Sequence, residues 1–215
     1  MKTKEDVFRL LGASNHSETE RVKNDFYATP KIAMDKLFIE LKKLKINLPK
    51  CIIEPGVGSG NIAFPLCKRG HFVYGFDIED RGFPSTAIAD WLTVNQRPDV
   101  SELAIVANFP YNNIQEHTEH SLSLLKDGEY LIELAKIQFL EGKARRKMFE
   151  EYPPKYILVF SERIRCLTNG EESKSSSAIC FCWFIFQKGF RGLPQVDWLW
   201  ELFWLKMKLY ALMVT

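Results

Sequence analysis

The sequence predicts an α/β fold: an open, mostly parallel sheet with helices on both faces and one antiparallel strand toward one side. Three observations carry this. Between residues 31 and 134, short apolar runs alternate with stretches of helical periodicity, the pattern that buried parallel strands and their covering helices produce. A Gly-rich turn follows the first of those runs directly. The last two runs, near 156–160 and 178–187, have no helical stretch between them, so they read as an antiparallel hairpin rather than another crossover.

Taken in order, residues 1–24 are charged and form an N-terminal extension, and residues 31–46 place Ile32, Leu37, Leu41 and Leu44 at helical spacing. Cys51-Ile52-Ile53 reads as a buried strand, and Asn61 to Arg69 as a helix stopped by Gly70, with Pro65 tolerable near its first turn. His71 to Asp77 is a second strand ending on an acidic residue; Ala89 to Leu92 lies where a third would end. Leu103 to Ala107 and Tyr130 to Leu134 complete the parallel set. Phe139 to Glu151 reads as one Lys- and Arg-rich helix stopped by Pro153-Pro154, before the strands Tyr156 to Phe160 and Ala178 to Gln187.

A chain of 215 residues with 46% hydrophobic and 26% charged residues suits one domain that buries roughly 70% of its unfolded surface. The net charge of +2 excludes an overall polycation, so any nucleic-acid face must come from local clustering. Five cysteines, mostly in apolar runs, and a polar start without a secretory pattern point to a reducing, cytoplasmic compartment. Cys180-Phe181-Cys182 lacks partners at ligand spacing, and His117 and His120 lack a third ligand, so no metal is expected. The segment 193–215 is apolar almost all round, but Asp197, Glu201, Lys206 and Lys208 spoil it as a membrane span. A helix packed on the domain, or between the copies of a homodimer, is the expectation there.

Two motifs carry chemistry. The first is Glu54-Pro55-Gly56-Val57-Gly58-Ser59-Gly60: glycines let the backbone approach a ligand, and the helix that follows offers unpaired N–H groups. Its G-x-G-x-G spacing differs from the dinucleotide fingerprint, and no P-loop Lys follows. Asp77, at the end of the second strand, can accept from two ribose hydroxyls. Asp90 can accept from an adenine amine, with Trp91 covering the ring; the alternative is a helix cap beside a core Trp. The second motif is Asn108-Phe109-Pro110-Tyr111 at the end of a buried run.

Together with Asp25-Phe26-Tyr27-Ala28-Thr29-Pro30 and the segment Phe139-Leu140-Glu141-Gly142-Lys143 to Val159-Phe160-Ser161-Glu162-Arg163, these motifs resemble a phage-type DNA adenine-N6 methyltransferase over about residues 24–192. The resemblance implies a Rossmann-like class I methyltransferase domain at 25–192, with a seven-stranded sheet containing one antiparallel strand, and S-adenosyl-L-methionine as cofactor. It implies that Phe26, Thr29 and Pro30 help hold the methionine end of that cofactor; Glu54, Pro55, Gly56, Gly58 and Gly60 of the Gly-rich turn, with Asp77, Asp90 and Trp91, are the other cofactor-binding candidates. The expected partner is DNA with its target adenine flipped out.

The family usually has Pro where this chain has Phe109. The amine clamp needs two acceptors, the Asn108 side-chain oxygen and the main-chain carbonyl of residue 109, and the carbonyl exists whatever the side chain. Pro110 would fix the turn and Tyr111 would stack on the extruded base. Asn-Leu-Pro-Tyr and Asn-Ile-Pro-Tyr forms are similar to ribosomal RNA adenine dimethyltransferases, which keeps RNA open; a protein Gln substrate and a catalytically idle binding module are the other readings. No Cys follows a Pro, which sets aside a cytosine-C5 mechanism. For DNA contact, Arg163, Arg165 and Lys174 between the last two strands are the candidates, ahead of the Lys143 to Lys147 run flanked by Glu141, Glu150 and Glu151.

Overall fold

The computed structural model describes residues 27–164, 167–168 and 179–200; the 1–24 extension and the tail beyond residue 200 lie outside them. Strands are β1 (Tyr27–Ala28), β2 (Cys51–Pro55), β3 (Phe72–Asp77), β4 (Ala87–Ile88), β5 (Leu103–Ala107), β6 (Tyr130–Lys136), β7 (Tyr156–Phe160), β8 (Leu167–Thr168), β9 (Phe181–Gln187) and β10 (Gln195–Leu199). Helices are α1 (Lys31–Lys43), α2 (Ala63–Cys67), α3 (Ile114–Leu124) and α4 (Arg146–Glu151). The main sheet has the order β10-β7-β9-β6-β5-β2-β3-β4. Only β9 runs against its neighbours, β6 and β7; every other pairing is parallel.

Both faces of the central strands β2, β5, β6 and β9 are buried, which is why they read as continuous apolar runs. On one face Ile52, Ala104, Val106, Ile132, Leu134 and Trp183 pack against Ala33, Met34, Leu37 and Leu41 of α1 and Leu66 of α2. The alternate residues, Ile53, Ile105, Ala107, Leu131 and Phe184, meet Ile114 and Leu122 of α3 and Met148 of α4. The indole of Trp183 donates to the Ala33 carbonyl at 3.1 Å, so this deep ring also satisfies its one polar group. Burying each such aliphatic side chain stabilises the fold by roughly 1.5–3 kcal/mol.

The structure departs from the sequence reading in four places. The sheet has eight strands rather than seven, because Gln195–Leu199, assigned to a helical tail by its apolar content, extends the edge beyond β7. The basic stretch 139–151 is not one helix: Gly142, at φ 105°, separates 3₁₀ turns at Ile137–Leu140 and Lys143–Arg145, and only Arg146–Glu151 is α-helical. Arg145 is spent on this break, donating to the carbonyls of Gln138, Phe139 and Glu141. The third strand ends at Ile88, before Asp90. Finally, β1 and β8 form a separate two-stranded ladder, Tyr27 opposite Thr168 and Ala28 opposite Leu167. No helix among the described residues is long and apolar enough to cross a membrane.

A carboxyl group lies inside this core. Glu133 of β6 is wholly buried, and the Thr118 hydroxyl of α3 donates to it at 2.9 Å. Burial pushes its pKa up to about 8, against a smaller lowering by Thr118. The native state therefore holds a proton that the unfolded chain releases, so this site loses stability as pH rises from 4.5 to about 8. Glu133→Gln is expected to change the thermal midpoint little at pH 5 and to raise it relative to wild type at pH 8. Parallel midpoint-against-pH curves for the two proteins would contradict this.

Candidate functional site

The carboxyl ends of β2, β3, β4 and β5 open into a cleft. It lies where the chain order reverses, because β2 pairs with β3 on one side and β5 on the other, and open α/β sheets bind ligands at such a crevice. Its walls bring together Thr29, Glu54, Pro55, Gly56, Asp77, Asp90, Trp91, Asn108, Phe109 and Pro110. Residues from five separated segments thus meet in one place.

The Gly-rich turn is shaped by its backbone. Gly56, Gly58 and Gly60 have φ of 67°, 54° and 82°, a region that costs other residues strain. Nothing lies within 4 Å of where a Cβ on Gly56 would sit, so the loop presents bare backbone there. Gly60 does a different job: a Cβ would lie 2.7 Å from Phe83 and 2.8 Å from Phe64. Gly60→Ala therefore forces both a strained φ and a ring displacement, and is expected to cost more than about 1 kcal/mol in a denaturant titration. An unchanged midpoint would contradict this role.

Gly58 does not line the cleft; its N–H donates to Asp77 Oδ2 at 2.8 Å, tying the loop to the end of β3. Asp77 Oδ1 accepts from the Glu79 N–H at 3.2 Å, and Arg81 Nε stands 3.8 Å away. A carboxylate has about four acceptor positions, so Asp77 keeps capacity for a ligand. Glu54 is 2% exposed, and its Oε2 has no hydrogen-bond partner among the described residues. Burial holds its pKa well above the usual carboxylate range, opposed by a hydrogen bond from the Ala63 backbone and reinforced by Asp77. An unpartnered buried acceptor on a cleft wall is a place for a cationic or N–H group.

Across the cleft, the Asn108 amide is fixed from behind. Its Nδ2 donates to the Tyr27 carbonyl at 2.7 Å and to Thr29 Oγ1 at 3.2 Å. That assigns the other amide atom as oxygen, and Oδ1 accepts from the Tyr111 hydroxyl at 3.1 Å with a second lone pair to spare. Phe109 is 2% exposed, so its side chain is wall, while its carbonyl takes no hydrogen bond among the described residues. Tyr111 is not in the cleft wall: its ring stacks on Tyr27 at 5.6 Å, and the Lys136 ammonium lies 4.4 Å from its centroid. Tyr27, not Tyr111, is the tyrosine ring that lines the cleft.

Asp90 caps the 3₁₀ turn Trp91–Thr93 by accepting from the Leu92 N–H at 3.0 Å, and Trp91, 4% exposed, donates to Ser121 at 2.9 Å. The cap and core roles of this pair coexist with cleft-lining positions. Pro30 precedes α1 in extended conformation and does not line the cleft. Arg163 is exposed and outside it; Phe26, Arg165 and Lys174 lie outside the described residues. Among the described residues no group of three or more His, Cys, Asp or Glu is placed to hold a metal.

Sequence reasoning missed Tyr27, Asn61, Ile78 and Arg81 as lining residues and read His117 only as a metal candidate. Ile78 had a signal, being next after the strand-end Asp77. His117 also had one, standing on the first turn of the helix that follows the Asn-x-Pro-Tyr motif.

No protein-family model matches the chain, and no curated protein matches it. Solved structures do. A protein of Pyrococcus horikoshii provisionally assigned as an RNA methyltransferase is similar at TM-score 0.59 and 17% identity, over 87% of this chain and 100% of that one. A provisionally assigned class I S-adenosylmethionine-dependent methyltransferase of Listeria monocytogenes is similar at 0.57 and 13%, over 95% and 75%. A modification subunit of a provisionally assigned type I restriction enzyme from Vibrio vulnificus is similar at 0.53 and 10%, over 90% and 51%. The fold is that of the class I S-adenosylmethionine-dependent methyltransferases.

Proposed function

We propose that this chain transfers the methyl group of S-adenosylmethionine to the exocyclic N6 amine of adenine in DNA. The observation that carries the reading is that Asn108, Phe109 and the Gly-rich loop with Asp77 converge on one cleft. The residues present suit the cofactor. Bare backbone at Gly56 admits a close ligand, Asp77 retains acceptor capacity for ribose hydroxyls, and the unpartnered Glu54 oxygen suits the amino group of the methionine end. Thr29 stands beside them, and Asp90 and Trp91 form the place for adenine.

When bound, the sulfonium cofactor supplies an electrophilic methyl group. The chain's part is orientation. Adenine N6 is a poor nucleophile because its lone pair is delocalised into the ring. Asn108 Oδ1 and the Phe109 carbonyl would accept its two N–H bonds and draw the nitrogen toward tetrahedral geometry, with the lone pair aimed at the methyl carbon. Holding two reactants in this way contributes up to about 7–11 kcal/mol in favourable systems. The released proton leaves from N6 to solvent. Arg163, with Arg165 and Lys174, would contact the phosphate backbone.

Phe109 in place of Pro favours a second reading, methylation of adenine in RNA. Among the structural neighbours, one is provisionally assigned as an RNA methyltransferase and another as a restriction-enzyme modification subunit. The test is initial rate on DNA and RNA oligonucleotides of one sequence, single-stranded and duplex. A faster rate on DNA supports the first reading, a faster rate on RNA the second, and label on a protein Gln would overturn both.

A further inference from the structure

His117 is a buried polar group that the proposed chemistry leaves unused. It stands on the first turn of α3, is 7% exposed, and lines the cleft. Its Nδ1 lies 3.0 Å from the Asn113 carbonyl. A carbonyl can only accept, so Nδ1 carries the proton and Nε2 of the neutral ring is left as an acceptor. Nε2 has no protein partner among the described residues, and it is not among the fully sealed unpartnered atoms. His117 lines the cleft, and an acceptor there without a protein partner is available to a ligand. The ring is held in place by Phe109, at a centroid distance of 5.2 Å.

Asp90 lines the same cleft and acts electrostatically on His117. Phe109 and Trp91 supply apolar walls around them. Two acceptors between apolar walls match a flat aromatic ring bearing an exocyclic amine, because –NH₂ offers two N–H donors. A ring bearing a carbonyl oxygen there would face both acceptors with a third.

We infer that His117 Nε2, together with Asp90, reads the 6-amino group of the cofactor's adenine and makes His117 a specificity-determining residue that holds the cofactor only while neutral. This rests on the reading that an adenosyl cofactor occupies the cleft. Burial keeps the imidazole pKa below its ordinary 6.5, ahead of the opposing effects of the Asn113 carbonyl, Asp90 and Glu116, while His120 lowers it further. The ring is therefore neutral at pH 7.5. Below its lowered pKa, Nε2 becomes a donor facing the N–H donors of the amine, and affinity falls.

The test is calorimetric binding of S-adenosylhomocysteine and its 6-oxo counterpart, S-inosylhomocysteine, to the full chain. Wild type should prefer the amino compound at pH 7.5 and lose affinity for it on acidification into the range below 6.5. His117→Phe should narrow the amino-over-oxo preference about tenfold, the loss of one net hydrogen bond, and flatten the acid limb. His117→Asn, whose amide oxygen can accept, should recover part of the preference. If S-adenosylhomocysteine binds wild type but His117→Phe keeps both the preference and the acid limb, His117 is only a core residue and the inference is overturned. If wild type binds neither compound, the cofactor reading itself has failed.

Discussion

Replacing Asn108 by Ala is expected to lower methyl transfer at least about a thousandfold, the scale seen when a donor or acceptor that acts on the reacting group is removed. The loss has two parts. Oδ1 disappears as an acceptor for the target amine, and Nδ2 releases the Tyr27 carbonyl and Thr29 Oγ1. The second part predicts a smaller loss of cofactor affinity as well, since Tyr27 and Thr29 both line the cleft. Asn108→Asp separates the parts: it restores an acceptor oxygen but sets a carboxylate against the Tyr27 carbonyl. Single-turnover rates and cofactor titrations on the two variants check this. An Ala variant with the wild-type rate would remove Asn108 from the clamp.

Arg97→Ala is expected to destabilise the fold by about 2–4 kcal/mol, a fall in thermal midpoint of roughly 10 °C for a chain of this size. Arg97 makes a two-pronged contact with Glu129, at 2.5 and 2.8 Å. The same carboxylate accepts from the Lys126 N–H at 2.7 Å and the Leu103 N–H at 2.9 Å. One side chain thus fastens the loop before β5, the end of α3 and the turn into β6. Without Arg97, Glu129, 8% exposed, remains as a carboxylate with backbone donors only.

The acid dependence has a definite sign. Burial alone would raise the Glu129 pKa, but Arg97 and the Lys126 and Leu103 N–H groups outweigh it and hold the value below the ordinary 4.5. The stabilisation is therefore complete above the unfolded carboxylate pKa and is lost as pH falls through the lower native one. The gap in midpoint between wild type and Arg97→Ala should shrink on that acid side; a gap that widens there would contradict the assignment.

The parallel strands were legible because both faces of the sheet are covered, so β2, β5 and β6 appear as apolar runs with no polar alternation. The Gly-rich turn and Asn-Phe-Pro-Tyr were legible because each packs its chemistry into consecutive residues. What escaped depends on contacts distant in sequence. The β1 and β8 ladder has two residues a side, too few for any periodicity. Strand β10 is exposed along most of its length, yet it is fixed by pairing with β7, and its Trp-rich composition reads equally well as a helix. The break at Gly142 needs Arg145 folded back onto three carbonyls, which no local pattern announces. Arg81 was given no role by the sequence, yet it stands by Asp77 in the cleft wall.

The site was legible as a list of residues but not as a set of contacts. Asp77 serves the loop as well as the cleft through its bond to Gly58. Tyr111, expected to stack on the target base, donates to Asn108 and packs on Tyr27. The proposed clamp does not rest on that ring, because its two acceptors are an amide oxygen and a main-chain carbonyl.

The most direct measurement is transfer of a labelled methyl group from S-adenosylmethionine to unmethylated duplex DNA, followed by nucleoside analysis, with Asn108→Ala as the blank. N6-methyladenine formed by wild type and absent with the variant is the predicted result; cofactor binding with no labelled nucleoside from DNA would contradict it.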